Sequence, residues 1–144
     1  MEEHILPEVP EFKLYKKVTI NVSTFLAGPL VAGYMIAENF KQLGDPSKAK
    51  VSWIITIVFN LAFFCAIVFI PELEKIPNIL FPVFYMSITS FLVQHFQAAK
   101  ISLHQANGGQ FFSAGRAIVA GLICIAITFL VIMGLMLATN QIEF

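Results

Sequence analysis

The chain alternates between long apolar stretches and short polar connections. Four stretches carry no charged residue over about twenty positions, at residues 18–37, 51–70, 81–99 and 117–138. A helix of roughly 20 apolar residues crosses the hydrocarbon layer of a bilayer, and lipid offers an irregular backbone no hydrogen-bond partners. The pattern predicts an all-α integral membrane protein with four membrane-inserted helices, at about 18–40, 51–70, 79–103 and 114–138.

The connections between these helices are short, at residues 38–50, 71–80 and 100–116. Short connections make sequential helices antiparallel neighbours, so the predicted architecture is an up-down bundle. Residues 1–17 form an N-terminal tail that ends in an interfacial run, and residues 18–144 form the membrane domain. We expect the tail to be solvated, as termini commonly are; the alternative is a docking strand for a partner.

The first apolar stretch allows two interpretations. It includes FLAGPLVAGYMIAENFKQLG, residues 25–44, in which Gly28-Pro29 interrupts the helical pattern. Either one kinked helix crosses the membrane, or the chain enters, turns at Gly28-Pro29 and returns as a re-entrant hairpin. Proline kinks are ordinary in membrane helices, whereas re-entrant backbone needs cover from protein or water. The sequence therefore favours the kinked span.

Composition agrees with lipid as the solvent. Hydrophobic residues make up 58% of the 144 positions and charged residues 12%, whereas about 25% of residues are charged in an average soluble domain. The formal net charge is zero, and the lysines form no basic stripe, so we expect no nucleic-acid partner.

The distribution of positive charge predicts the orientation of the loops. The first and third connections carry five lysine and arginine residues, whereas the second carries only Lys75. By the positive-inside rule, the 38–50 and 100–116 loops are cytoplasmic and the 71–80 loop is external. A kinked first span would put five positive residues inside and four outside; a re-entrant hairpin would put eight inside and one outside.

Four polar residues share one face of the third predicted helix, at spacings of three, four and three: Ser87, Ser90, Gln94 and Gln97. Hydroxyls and amides that face lipid are costly, so this face meets protein or water. Facing protein, it is a polar interface between helices. Facing water, it lines a pore or a substrate path.

Three ionisable residues lie near the predicted helix ends. Glu38 ends the first span, and we expect it to pair with Lys41 or to be solvated; the alternative is a cation or proton site. His95 and His104 are nine residues apart, which does not place two metal ligands on one helical face. We therefore expect interfacial or structural histidines and no metal site.

Small residues mark two helix surfaces that we expect to pack together. Gly28 and Gly33 lie on the first predicted helix, and Ala117 and Gly121 lie on the fourth. Small side chains let helix backbones approach closely in membranes. Because the chain offers several such surfaces, we also expect a homo-oligomer.

No arrangement of residues predicts catalysis or a cofactor. The acidic residues are confined to tails and loops, and no serine has a neighbouring base in the sequence. The G-P-L core and N-F-K-x-L-G ending of the first segment resemble uncharacterised small bacterial polytopic membrane proteins. That resemblance implies residence in a bacterial inner membrane and no particular activity.

The sequence predicts a non-enzymatic oligomeric integral membrane protein that acts as a scaffold or sensor for a cytoplasmic partner protein. The alternative is a channel or small transporter, with the polar face of the third helix lining the pore.

Overall fold

The computed structural model describes residues 8–139, so the first seven residues of the predicted tail lie outside the described range. The chain is mostly helical, as predicted. The described range contains six α-helices, a short 3-10 helix at Pro71–Lys75 and two two-residue strands: β1 Lys13–Leu14, α1 Lys17–Ala27, α2 Pro29–Gln42, α3 Pro46–Phe69, α4 Leu80–Phe96, α5 Ala98–Ala106, β2 Gln110–Phe111 and α6 Ala114–Ala138.

The favoured kinked first helix is wrong, because the chain folds back on itself at Gly28. Gly28 has φ +92°, a conformation that side chains disfavour, and Pro29 then occupies the first position of α2. The backbone N–H of Tyr15, before α1, donates to Oδ1 of Asn39, near the end of α2, at 2.7 Å. In one continuous helix these residues would be about 36 Å apart. Helices α1 and α2 therefore form a hairpin.

The ends of the hairpin helices follow from local sequence. Gly44, with φ +78°, ends α2 in a Schellman motif: its N–H donates to the carbonyl of Lys41, and the N–H of Asp45 donates to that of Phe40. The Asp45 side chain then caps α3 by accepting from the N–H of Lys48 at 3.1 Å. The Gly-Asp-Pro sequence thus turns the chain sharply from α2 into α3.

The third predicted helix, 79–103, is also interrupted. Helix α4 ends at Phe96, Gln97 has φ −127°, and α5 continues as a separate nine-residue helix. The second predicted helix begins earlier than expected, at Pro46, and the fourth has the predicted bounds.

The hairpin lies at the centre of the helix packing. Helix α2 packs along α3, whereas α1 packs along α4 and against α6. Most of the buried apolar cluster comes from the hairpin and the segment before it, including Tyr15, Ile20, Val31 and Met35, which are all fully buried. Helices α3 and α4 therefore pack against different arms of the same hairpin, α3 against α2 and α4 against α1.

The residues before the hairpin are packed into the chain. Strand β1 pairs in parallel with β2, with Lys13 opposite Gln110 and Leu14 opposite Phe111. Leu14 and Tyr15 are 0% exposed. The expectation of a solvated tail is therefore wrong for residues 13–15. The segment does form a strand, but the strand pairs with β2 of the same chain. We call the end of the molecule that carries β1 and β2 the strand end.

Helices α3 and α6 are each long and apolar enough to cross a membrane, by length and composition. Few of their residues are buried in the chain: Asn60 in α3, and Ala117, Gly121 and Cys124 in α6. Helix α4 is apolar but shorter, at 17 residues.

Candidate functional site

The polar residues of α4 meet the first arm of the hairpin. The Lys17 ammonium donates to Oε1 of Gln94 at 2.5 Å, and the Asn21 amide donates to the Ser90 hydroxyl at 3.3 Å. Lys17 and Asn21 are four residues apart, as are Ser90 and Gln94, so one turn of α1 matches one turn of antiparallel α4. We call these two pairs the polar seam.

The sequence placed four polar residues on this face, and three of them contact the hairpin. Ser87 does not: it is exposed, and its hydroxyl donates to the carbonyl of Val83 in its own helix at 2.7 Å. The third contact is made by Gln97, which is 1% exposed. The predicted polar interface between helices is therefore present within the chain, one helical turn shorter than expected.

Asn39 closes the hairpin at the strand end. Its amide oxygen accepts from the N–H of Tyr15, and its amide nitrogen donates to the Tyr15 carbonyl at 3.1 Å and to Oε1 of Gln97 at 3.2 Å. The Gln97 amide in turn donates to the Ile36 carbonyl at 2.9 Å. Asn39 is 0% exposed. One side chain thus satisfies both backbone groups of Tyr15, as a neighbouring strand would.

Arg116 gathers a second polar cluster at the same end. Its guanidinium donates from Nε to the Tyr15 hydroxyl at 3.1 Å and from Nη2 to the Tyr34 hydroxyl at 3.3 Å. It also lies 3.6 Å from the Glu38 carboxylate and 3.9 Å from the centre of the Phe112 ring. A planar guanidinium suits such simultaneous ion pairing and stacking. The expected pairing of Glu38 with Lys41 is wrong, because the carboxylate pairs with Arg116.

The environment of Tyr15 favours its neutral form. Burial of the phenol, and then its hydrogen bond with Tyr34, raise the pKa of Tyr15 to about 12, although the neighbouring Arg116 opposes this shift. The hydroxyl therefore stays protonated at neutral pH and serves as a fixed hydrogen-bond partner.

The two histidines occupy different environments. His104 is 3% exposed, its Nε2 lies 2.7 Å from the Gln110 carbonyl, and its ring stacks on Phe12 with centroids 4.9 Å apart. A side chain at Gly109 would collide with that ring. His104 is therefore a packed residue beneath β2 and not an interfacial one. His95 is exposed, and its ring stacks on Phe91.

The small residues pack in part as predicted. Gly121 of α6 lies against α1, where an added Cβ would be 3.5 Å from the Ala27 side chain. Ala117 is buried in α6 near the same helix. Gly33, however, faces Thr56 of α3, which an added side chain would overlap, and Gly28 borders open space. The glycines of the first predicted surface therefore do not make the expected contact with α6: Gly33 packs against α3, and Gly28 has no neighbour within 4 Å of an added Cβ.

A polar cleft opens above the seam at the strand end. It has a volume of about 520 Å³ and is lined by Lys16, Lys17, Gln94, Ile101 and Ser102, among others. Gln94 is exposed at its base. Below it, Oδ1 of Asn21 is buried and has no hydrogen-bond partner. Water in the cleft can reach the Lys17–Gln94 pair of the seam, whereas Ser90 lies one helical turn further from the cleft.

The sequence interpretation missed Tyr15, Asn21, Asn39 and Arg116 as members of this site. One signal for Asn21 was available: Lys17, Asn21 and Thr24 follow at i, i+4 and i+7, a polar stripe within an apolar helix. No local pattern reveals that Asn39 binds a backbone 24 positions earlier. Within residues 8–139, no group of three histidine, cysteine, aspartate or glutamate side chains could hold a metal.

Comparison with known proteins gives no relative for this chain: no family model matches it, and no curated protein or solved structure does either.

Proposed function

We propose that this protein is a non-enzymatic integral membrane protein that acts as a scaffold or sensor for a partner protein. Its outward-facing surface supports membrane insertion. Large apolar side chains are exposed along both long helices, for example Ile54 and Val58 of α3 and Leu122 and Leu130 of α6. Contiguous exposed apolar surface of this extent is unfavourable in water and suits lipid.

Four inserted segments follow from the helix lengths. Helices α3, α4 and α6 rise about 36, 26 and 38 Å, which compares with about 30 Å of hydrocarbon. The arms of the hairpin rise only about 16 and 21 Å. With its open end held at the strand end by Asn39, the hairpin therefore reaches about the middle of the bilayer and turns there, covered by α3, α4 and α6.

The hairpin simplifies the orientation. It brings the N-terminal strand to the same end as the 38–50 and 100–116 connections, so eight lysine and arginine residues share the strand end and Lys75 lies opposite. The positive-inside rule then makes the strand end cytoplasmic and the 71–80 connection external. Assignment to a bacterial inner membrane depends on the resemblance of the first segment.

One observation favours a scaffold over a channel: the hairpin occupies the polar face of α4. Ser90, Gln94 and Gln97 all bind hairpin groups, so this face contributes to folding. The folded strand end, with exposed Lys13, Lys16 and Lys100, then offers a rigid charged surface to a cytoplasmic partner. We expect a homo-oligomer, since a groove between α1 and α6, floored by Ala117 and Gly121, leaves room for another helix.

Water access along the seam tests this proposal. Cys65 and Cys124 are first replaced, and single cysteines are then placed at Gln94 and Ser90. A charged thiol reagent is added to intact membranes, and Lys13→Cys serves as the exposed control. We expect Lys13→Cys and Gln94→Cys to react and Ser90→Cys to stay unmodified until the protein is denatured. Rapid reaction at Ser90 as well would mean that water reaches both pairs of the seam, and would contradict the proposal.

A channel or small transporter is the second candidate, and the cleft above Gln94 with the unpartnered Asn21 oxygen favours it. The variant Gln94→Leu separates the two. A pore predicts lost ion or solute flux in vesicles with assembly intact, whereas an interface between helices predicts a weakened assembly. If Gln94→Leu changed neither property, the residue would serve neither role.

A further inference from the structure

A second feature of the fold is an apolar groove between α3 and α4, with α2 as its floor. Its volume is about 270 Å³. Ile55 and Phe59 form one wall, Ile88 and Leu92 the other, and Pro29 and Gly33 lie on the floor. Most of the lining is apolar, and the hydroxyls of Ser52 and Thr56 donate to backbone carbonyls of their own helix. The groove therefore suits a hydrocarbon ligand.

The groove exists because the two arms of the hairpin hold different helices. Helix α3 is drawn onto α2, where Gly33 accommodates Thr56, while α4 is tied to α1 by the polar seam. The two outer helices meet through aromatic rings deeper in the molecule, where Phe63 lies 5.8 Å from Phe81 and 6.1 Å from Tyr85, centroid to centroid. The groove is therefore closed at that depth and open towards the strand end.

The dimensions and charge of the groove indicate its occupant. Lys48 lies at the open end, and Phe59 lies near the closed end. The rise of α3 between them is about 16 Å, close to one half of the ~30 Å hydrocarbon layer. The Lys48 ammonium is half-exposed and sits 3.2 Å from the Asp45 carboxylate. A basic group thus stands at headgroup level above an apolar channel that is one leaflet deep.

We propose that this groove binds one acyl chain of an anionic phospholipid from the leaflet at the strand end, with the phosphate at Lys48. The inference rests on the membrane insertion proposed above and does not depend on the scaffold role. A partner helix fits less well, because a spanning helix would need a groove through both leaflets, and the rings around Phe63 close this one halfway.

Native mass spectrometry of the full chain in detergent tests the groove. Phosphatidylglycerol and phosphatidylcholine with identical chains are added separately. We expect the wild type to retain phosphatidylglycerol in preference to phosphatidylcholine. Ser52→Phe fills the open half of the groove and should lower retention of both lipids at least tenfold. Val58→Phe, on the exposed side of the same helix, adds a ring outside the groove and should retain both.

The headgroup contact has its own matched pair. Lys48→Gln should remove the preference for phosphatidylglycerol and leave phosphatidylcholine unchanged. Lys50→Gln, two residues away and outside the groove, should keep that preference. An equal loss in both variants would mean that general charge attracts the lipid, and would overturn the assignment of Lys48.

Two further outcomes decide the acyl-chain site. Undiminished lipid retention by Ser52→Phe would place the lipid elsewhere. A co-purifying membrane helix that displaces the lipid would show that the groove serves a protein partner, and would overturn the proposal. Circular dichroism and detergent unfolding check that each variant folds, and Ile88→Phe on the opposite wall replaces Ser52→Phe if the latter does not. Alkaline extraction of membranes reports insertion separately: an inserted protein that retains no lipid contradicts this inference alone.

Discussion

The two ends of the molecule are built differently. The strand end contains β1, β2, α5, the Asn39 contacts and the Arg116 cluster, and it holds most of the buried side chains. At the opposite end, no residue between Asn60 and Thr89 is buried, and none is buried from residue 125 to residue 139. At the opposite end the helices are largely exposed, and a few aromatic contacts around Phe63 connect α3 with α4.

The depth of the hairpin accounts for this difference. Because α1 and α2 turn at Gly28, they share the strand half of the molecule with α5 and with the near halves of α3, α4 and α6, and only the last three continue beyond it. Polar side chains complete the crowded half, where Asn39 satisfies the backbone of Tyr15 and Gln97 binds both Asn39 and the Ile36 carbonyl. The sparse half has exposed apolar surface and little internal packing. Substitutions should therefore be far more costly at the strand end.

The largest effect is expected from Asn39→Leu. The substitution leaves the N–H and carbonyl of buried Tyr15 and Oε1 of Gln97 without partners. Each unsatisfied buried group costs about 1–3 kcal/mol, so we expect a loss on the order of 3 kcal/mol in the free energy of unfolding. Denaturant titration in mild detergent measures it.

The matched control for this prediction is Asn78→Leu at the opposite end. Asn78 is exposed in the 71–80 connection, and surface changes are usually within about 0.5 kcal/mol. Similar losses in the two variants would show that the two ends do not differ in the way proposed.

A smaller effect is expected from a pair of glycines. Gly33→Ala places a methyl group against the Thr56 side chain at the contact of α2 with α3, and overpacking of this kind costs about 1–3 kcal/mol. Gly134→Ala has no neighbouring atom within 4 Å and gains helix propensity of up to about 1 kcal/mol. The two variants should therefore shift the unfolding midpoint in opposite directions.

The control for steric conflict is Gly33→Ala combined with Thr56→Ala. Removing the opposing hydroxyl and methyl groups relieves the two closest contacts, but the Cβ of residue 56 remains 2.5 Å from the added methyl, so the double variant should recover part of the stability that Gly33→Ala loses. If it restores none, the glycine acts through its backbone and not through the close approach of the helices.

The sequence predicted those features that depend on regular patterns. Apolar length located α3 and α6, and the spacing of Ser90, Gln94 and Gln97 identified the inner face of α4. The sequence allows the hairpin as an alternative but does not favour it, since Gly28-Pro29 is compatible with a kinked helix as well as with a turn. What decides between them is the pairing of Asn39 with Tyr15, a long-range contact that no local pattern encodes. The ion pair of Glu38 with Arg116 was missed for the same reason, because the nearer Lys41 offered a local alternative.

The smallest effect concerns the pH dependence of the Arg116 cluster. The pKa of Tyr15 is raised from 10.0 to about 12, mainly by burial, so the folded state keeps a proton that the unfolded state loses above pH 10. This contribution to stability is fully present below pH 10 and is lost as the pH rises towards 12. Tyr15→Phe removes the ionisation together with the hydrogen bonds of the phenol with Arg116 and Tyr34, each worth about 1 kcal/mol.

The wild type should therefore be more stable than Tyr15→Phe at pH 8, and that advantage should shrink as the pH rises from 10 to 12. Unfolding of both proteins in the same detergent across this range gives the difference, in which the titration of the lysines common to both cancels. A constant difference would mean that the phenol is no harder to ionise in the fold than in the unfolded chain, and that the strand end admits water to the Tyr15 hydroxyl. A shrinking difference would mean that the cluster is sealed, as the full burial of Tyr15 beneath Arg116 and Phe112 implies.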